Sequence, residues 1–204
     1  DPKEIGNVVY MLSDGVGKAR ATKYGGNREP QRWRCITLST GEVGLNDKML
    51  EAGKSPKAGQ AVRFVELSAH RSHTPDGTAS AFDCLHGFAD GRVFADALTD
   101  TAEKHYGHAG IKFLETLIAD NEADHPAALV EINQRFVAGA GQEGRAAERF
   151  ALMAYAGELA TSYGVTGWQT GEATEAALVL FATWQSERTK GKQRALYEPI
   201  HGSA

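Results

Sequence analysis

Residues 18–39 read KARATKYGGNREPQRWRCITLS, and the fold assignment turns on them. A basic arm runs into a Gly25-Gly26-Asn27 turn, a second basic arm returns, and a short apolar segment follows. Six Lys/Arg (Lys18, Arg20, Lys23, Arg28, Arg32, Arg34) stand against the single acid Glu29, on a chain whose formal charge is −4. Tyr24 and Trp33 are interleaved with these charges. Glycine and asparagine at the turn predict a β-hairpin, and Pro30 predicts an edge or irregular returning strand. Basic charge interleaved with aromatic faces is the chemistry that holds a nucleic-acid strand. The competing reading is a solvated hairpin with Tyr24 and Trp33 as core anchors.

Working outward, Cys35–Ser39 is β-prone and nearly all apolar, which predicts a strand buried on both faces. It ends in Ser39-Thr40-Gly41-Glu42, a polar strand end of the kind that carries chemistry in open α/β sheets. Upstream, Ile5, Val8, Val9 and Leu12 follow helical spacing, so 4–13 is predicted helical, with Asp1, Pro2 and Glu4 as a capping box. The text Gly15-Val16-Gly17-Lys18 invites a phosphate-loop reading, which fails. Leu12 stands where the first glycine belongs, and Ala19 lacks the hydroxyl that would reach magnesium. Downstream come a short helix over 46–51 with Met49 and Leu50 inward, a polar loop over 54–59, and a second strand over 61–67. That strand carries Arg63, either paired to a carboxylate or presented to a partner.

From Ser68 the composition turns to Ser, His, Thr, Pro and Gly, marking a boundary. His70, His73, Cys84 and His86 are zinc-type ligands, but their spacing matches no standard site. The remainder is predicted helical. Residues 93–105 carry Phe94, Ala97, Leu98 and Tyr106 inward. Ile111, Leu114, Leu117 and Ile118 form the next stripe, and Pro126 opens a helix with Leu129, Ile132 and Phe136. Residues 145–162 form a central helix with Phe150, Leu152, Met153, Tyr155 and Leu159, and Gly164 follows as its terminating glycine. The last helix, 172–186, shows Ala177, Leu180, Phe181 and Trp184, and a frayed tail begins at Lys190. The expected organisation is an α/β part over 1–69, a connecting loop over 70–90, a helical bundle over 91–189 and a tail over 190–204, mainly α overall. The α/β part reads as half a sheet.

Composition excludes other classes. An apolar share of 42% with 24% charged residues is that of a globular chain, and no apolar run approaches a membrane span. Two cysteines make no disulfide framework, so a cytoplasmic setting is expected. A first residue that is not Met, standing at a helix cap, reads as a start inside something longer.

The runs VVYMLSDGVGKARATKYG, RWRCITLSTGEVGLNDKM and EAGKSPKAGQAVRFVEL resemble the later part of the bacterial domain-of-unknown-function family 927. The resemblance continues through LHGFADGRVFADAL, HYGHAG and RAAERFALMAYAGELA to TGW, from about Ile5 to Glu187. That family is similar to P-loop helicase-type ATPases of phages and mobile elements, related to the AAA+ class with the minichromosome-maintenance helicases. The resemblance implies the second half of a P-loop ATPase sheet followed by a helical lid, with the Walker motifs upstream and absent here. It implies that Lys18, Arg20, Lys23, Tyr24 and Arg28 belong to a pore hairpin gripping single-stranded or forked DNA. Ser39 or Thr40 would be the sensor-1 group, Arg63 a trans arginine finger, and Arg145 and Arg149 sensor-2 candidates, unless these two pair with Glu148 or Glu158. ATP and magnesium are implied for the parent, which would be a homo-oligomer, a hexamer by analogy. The part in hand would not hydrolyse ATP alone. The alternatives are a non-catalytic nucleic-acid-binding or protein-interaction module, and a small metal-binding domain built on the His/Cys loop.

Overall fold

The computed structural model describes residues 4–53, 63–69, 81–82, 84–139 and 143–197. The chain is mainly helical. Its described elements are α1 (Ile5–Asp14), β1 (Arg20–Ala21), β2 (Asn27–Arg28), α2 (Leu45–Glu51), α3 (Gly91–Lys104), α4 (His108–Ala119), α5 (His125–Asn133), α6 (Glu143–Ser162) and α7 (Glu172–Tyr197). They group into two compact units. One holds Asp1–Glu66 with Ala138–Ala147, and the other holds Leu67–Val137 with Glu148–Ala204.

The first unit has a small apolar core. Val9 of α1 packs with Leu45 and Met49 of α2, and Phe64 covers them. Gly44 permits the approach of Glu66, because a Cβ at that position would meet the Glu66 carboxylate at 2.1 Å. Glu66 Oε2 accepts from the Leu45 amide at 3.2 Å and satisfies one of the free N–H groups at the start of α2. Leu50, expected inward, is exposed, and Leu45 takes the buried position instead.

The expected strands are corrected. Among the described residues the only named strands are the two arms of the hairpin, paired antiparallel. Cys35–Ser39 carries no ladder, and Ile36 and Leu38 are 76% and 91% exposed rather than buried. A strand exists through its hydrogen-bonded neighbours, and no described segment pairs with this one. Arg63 is helical and 64–67 lack strand structure, while 61–62 lie outside the described residues. The capping box also shifts. Glu4 is itself the N-cap residue and makes no side-chain cap bond, and Asp1–Lys3 lie outside the described residues.

The second unit is built on α6 and α7. Phe150, Ala151 and Ala154 of α6 are buried with Ala177, Phe181 and Trp184 of α7 and with Phe136 beyond α5. Their rings meet edge-on or stacked. Phe150 and Phe181 lie 5.4 Å apart by centroid, Phe136 and Phe181 5.7 Å, and Phe181 and Trp184 5.9 Å. The buried face of α6 is alanine-rich, whereas Leu152 and Met153, expected inward, are exposed. Small residues let backbones close. A Cβ on Gly157 would sit 2.5 Å from the Ala173 Cβ, so α6 and α7 touch there without side chains between them. Leu180, Leu98, Tyr106, Ile111, Leu114 and Ile118 are likewise exposed, and α3 and α4 bury no residue fully. Helical spacing fixes which residues share a face but leaves open whether a partner covers it. The last helix continues to Tyr197 where a tail from Lys190 was expected.

Two phenols latch the α4–α5 connection onto α6. Tyr163 donates to Asp120 Oδ2 at 2.8 Å, and the Tyr155 hydroxyl lies 2.7 Å from His125 Nδ1. Desolvation and then the bond to Asp120 push the Tyr163 phenol up to about 12. Glu158 secures the start of α7 from outside that helix. Its carboxylate accepts from Gly171 N, Thr174 N and Thr174 Oγ1 at 2.8–2.9 Å. Burial alone would raise the Glu158 pKa, but these bonds and the Arg135 charge outweigh it and hold the group below the ordinary 4.5. A depressed pKa stabilises the fold above the unfolded value and loses that contribution as pH falls. The urea midpoint is therefore expected to drop as pH falls below about 4.5, with a shallower drop in Glu158→Gln; equal slopes would contradict the account.

Candidate nucleic-acid interface

The hairpin is held at its base by the end of α1. Gly15 closes that helix in the left-handed conformation (φ 65°), donating to Met11 O at 3.2 Å. A Cβ at Gly15 would sit 2.3 Å from the Trp33 carbonyl oxygen, so only glycine fits there. Gly15 O accepts from the Trp33 amide at 2.9 Å, and Gly17 N donates to Gln31 O at 2.8 Å. These bonds flank a bridge between Val16 and Arg32. The Trp33 indole N–H donates to Leu12 O at 3.3 Å, with the ring half-buried against Gly17. Trp33 is therefore the anchor of the hairpin.

Further out, Arg20 pairs with Arg28 and Ala21 with Asn27, in the same register as Val16 with Arg32. The ladder lapses between these rungs, where Pro30 offers no N–H. The turn sits one to two residues earlier than expected. Thr22 N donates to Gly26 O, Gly25 N donates to Thr22 O, and Gly25 adopts φ 85°. This is a three-residue loop, Lys23-Tyr24-Gly25, with its glycine in the left-handed position. Side chains alternate along a strand, so one register places Lys18, Arg20, Arg28 and Arg32 on one face. Lys23 and Tyr24 occupy the tip. Tyr24 is 92% exposed and anchors no core.

The charges on this face are nearly uncompensated. Lys18 lies 3.7 Å from Glu4 with both side chains exposed, a geometry that contributes about 1 kcal/mol or less. Among the described residues no carboxylate pairs with Arg20, Lys23, Arg28, Arg32 or Arg34. At the base, Asp14, Gly15, Val16, Arg32, Trp33 and Arg34 line an open cleft of about 440 Å³. Arg32 and Arg34 thus join the five residues singled out from sequence. The signal that finds Arg32 is the strand register, which composition does not carry.

The other candidates lie in different settings. The Arg63 guanidinium is 3.6 Å from Asp14 Oδ1 and 4.9 Å from the centre of the Tyr10 ring, engaged within its own unit. Ser39 and Thr40 are exposed on the irregular segment after Arg34 and make no hydrogen bond among the described residues. Arg145 is exposed and Arg149 half-buried, four residues apart on α6, while Glu158 is occupied with Gly171 and Thr174. His70 and His73 lie outside the described residues. Cys84 and His86 are exposed, joined by a bond from the His86 amide to Cys84 Sγ at 3.4 Å. Among the described residues no three potential ligands gather to hold a metal.

The Gly15–Lys18 loop has the wrong setting for a nucleotide phosphate, and the family resemblance places ATP and magnesium on Walker motifs of the parent rather than on this loop. That loop follows the C-terminus of α1, where the helix dipole is negative, and Lys18 faces Glu4. No family model matches the chain, and neither a curated protein nor a solved structure matches it.

If the Gly15–Trp33 contact holds the hairpin, Gly15→Ala should speed hydrogen exchange at the Gly17 and Trp33 amides at least tenfold. Amides of α6 and α7 should keep their protection. Unchanged exchange at Gly17 and Trp33 would contradict this role.

Proposed function

We propose that this chain is a nucleic-acid-binding module that holds a single strand by its phosphates on the hairpin Lys18–Arg34, with the helical second unit as its scaffold. One observation carries the reading. Arg20 stands directly opposite Arg28 on an exposed two-residue ladder, with no carboxylate beside either. Like charges opposed across a strand pair destabilise it by a few tenths to about 1 kcal/mol. A passing polyanion turns that repulsion into attraction, because each phosphate meets a cation already aimed outward and releases its counterions. The exposed Tyr24 ring at the tip supplies a stacking face, worth about 1–3 kcal/mol per base in strand-binding proteins. The chain as a whole is acidic, so the attraction is local to the hairpin.

The resemblance to family 927 supports a setting for such a hairpin, the DNA-gripping element of an oligomeric helicase-type ATPase acting on single-stranded or forked DNA. In that setting this chain contributes grip and scaffold. Arg63 is given a structural role here, because its guanidinium is already committed to Asp14 and Tyr10. Sensor functions for Ser39, Thr40, Arg145 and Arg149 rest on the resemblance alone. No membrane partner is proposed, and among the described residues no helix is long and apolar enough to cross one.

Fluorescence anisotropy with a labelled single-stranded oligonucleotide, repeated across salt concentrations, tests the grip. Each phosphate contact on a single strand contributes about 0.7 to the log–log salt slope, so Arg20→Ala/Lys23→Ala/Arg28→Ala should flatten it by about 2. An equal slope would end the proposal. Arg28→Thr alone should weaken binding while leaving the unfolding midpoint unchanged or slightly raised, which separates a binding role from a structural one.

A further inference from the structure

The segment after the hairpin is a strand without a sheet. Residues 34–42 form no regular structure, and among the described residues none of their backbone groups makes a hydrogen bond. Ile36 and Leu38 are 76% and 91% exposed, yet Cys35-Ile36-Thr37-Leu38-Ser39 has the β-branched, apolar composition of an interior strand. Such a segment is a template for pairing with another chain. The bonds at Gln31 and Trp33 turn one edge of the preceding residues toward Gly15 and Gly17. Continued alternation leaves the N–H and C=O groups of Arg32, Arg34, Ile36 and Leu38 on the other, open edge.

The sequence is complementary to itself in one antiparallel register. Centred on Thr37, Ile36 of each copy faces Leu38 of the other, Cys35 faces Ser39, and Arg34 faces the uncharged Thr40. Further out, the bulky Trp33 faces Gly41, and Arg32 faces Glu42, an opposite-charge pair that the two-fold axis makes twice. Shifting the centre to Leu38 leaves each Ile36 against Thr40, and shifting it to Ile36 loses the charge pair. The Thr37-centred register alone opposes apolar to apolar at both positions and positive to negative at its ends.

We propose that residues 32–42 pair with the same residues of a second copy of this chain, forming a two-stranded antiparallel ladder about Thr37 and an isologous dimer. In this ladder Thr37 faces Thr37 as a non-hydrogen-bonded pair, with Leu38 N–H donating to Ile36 O across the axis in both directions. The proposal stands on the segment's exposure and self-complementarity and does not rest on nucleic-acid binding, although its end pair draws on Arg32 of the hairpin face.

The register gives a crosslinking test. Non-hydrogen-bonded partners lie about 4.5 Å apart at Cα, within disulfide range, whereas two Cys35 residues would lie about 13 Å apart, four residues along the ladder. Thr37→Cys in a Cys35→Ser/Cys84→Ser background should form a covalent dimer under mild oxidation, while the parent protein should not crosslink through Cys35. Sedimentation velocity should show a concentration-dependent dimer that is lost in Leu38→Pro, which removes a donor from an exposed position that no described contact uses. Two results would overturn the proposal. One is a protein that stays monomeric across concentration, with no Thr37→Cys crosslink. The other is a dimer that persists in Leu38→Pro and fails to crosslink at Thr37, placing the interface elsewhere.

Discussion

The approach of Gly15 to Trp33 is the contact on which the hairpin depends. Helix α1 must stop, and its C-terminal carbonyls must find partners; the left-handed glycine does the first and lets the returning arm serve the second. Because no Cβ stands between Gly15 and the Trp33 carbonyl, the backbones close and the indole N–H reaches Leu12 O. A two-rung ladder in isolation is marginal in water. Bonded to a helix end at its base, the hairpin can project its cations into solvent.

From that base, electrostatics governs the rest. Six cations and one acid lie within seventeen residues, and the register concentrates Lys18, Arg20, Arg28 and Arg32 on one side. A solvated surface hairpin has no need to oppose two arginines, and a core hairpin has no need to expose a tyrosine at its tip. The helical unit contributes differently. Its aromatic cluster around Phe150 and Phe181, and the close contact at Gly157, build a core from rings and small residues. The pairing of Glu158 with the start of α7 stiffens that core.

Much of this was legible in the sequence, and the misses have physical reasons. Helices were readable from spacing because stop signals such as Gly164 are local, although the last helix runs to Tyr197, well past the Ser186 at which its apolar stripe ends. The hairpin and its cations were readable because turn chemistry is local. Cys35–Ser39 was misread as buried because composition reports what a segment can bury against, whereas burial needs a neighbour in space. Leu152 and Met153 were misread for a related reason: α6 turns its alanines inward, and small residues carry little weight in a hydrophobic pattern. The engagement of Arg63 by Asp14 and Tyr10 was left open between pairing and presentation, since partners distant in sequence leave no local trace.

The central claim is that the hairpin face, and not the helical unit, holds the strand. Amide chemical-shift mapping during titration with a single-stranded oligonucleotide tests it most directly. The account predicts saturating shifts confined to residues 18–34, the Trp33 indole included, fading as salt is raised. Shifts centred on α6 and α7, or a hairpin that stays silent at saturation, would contradict it.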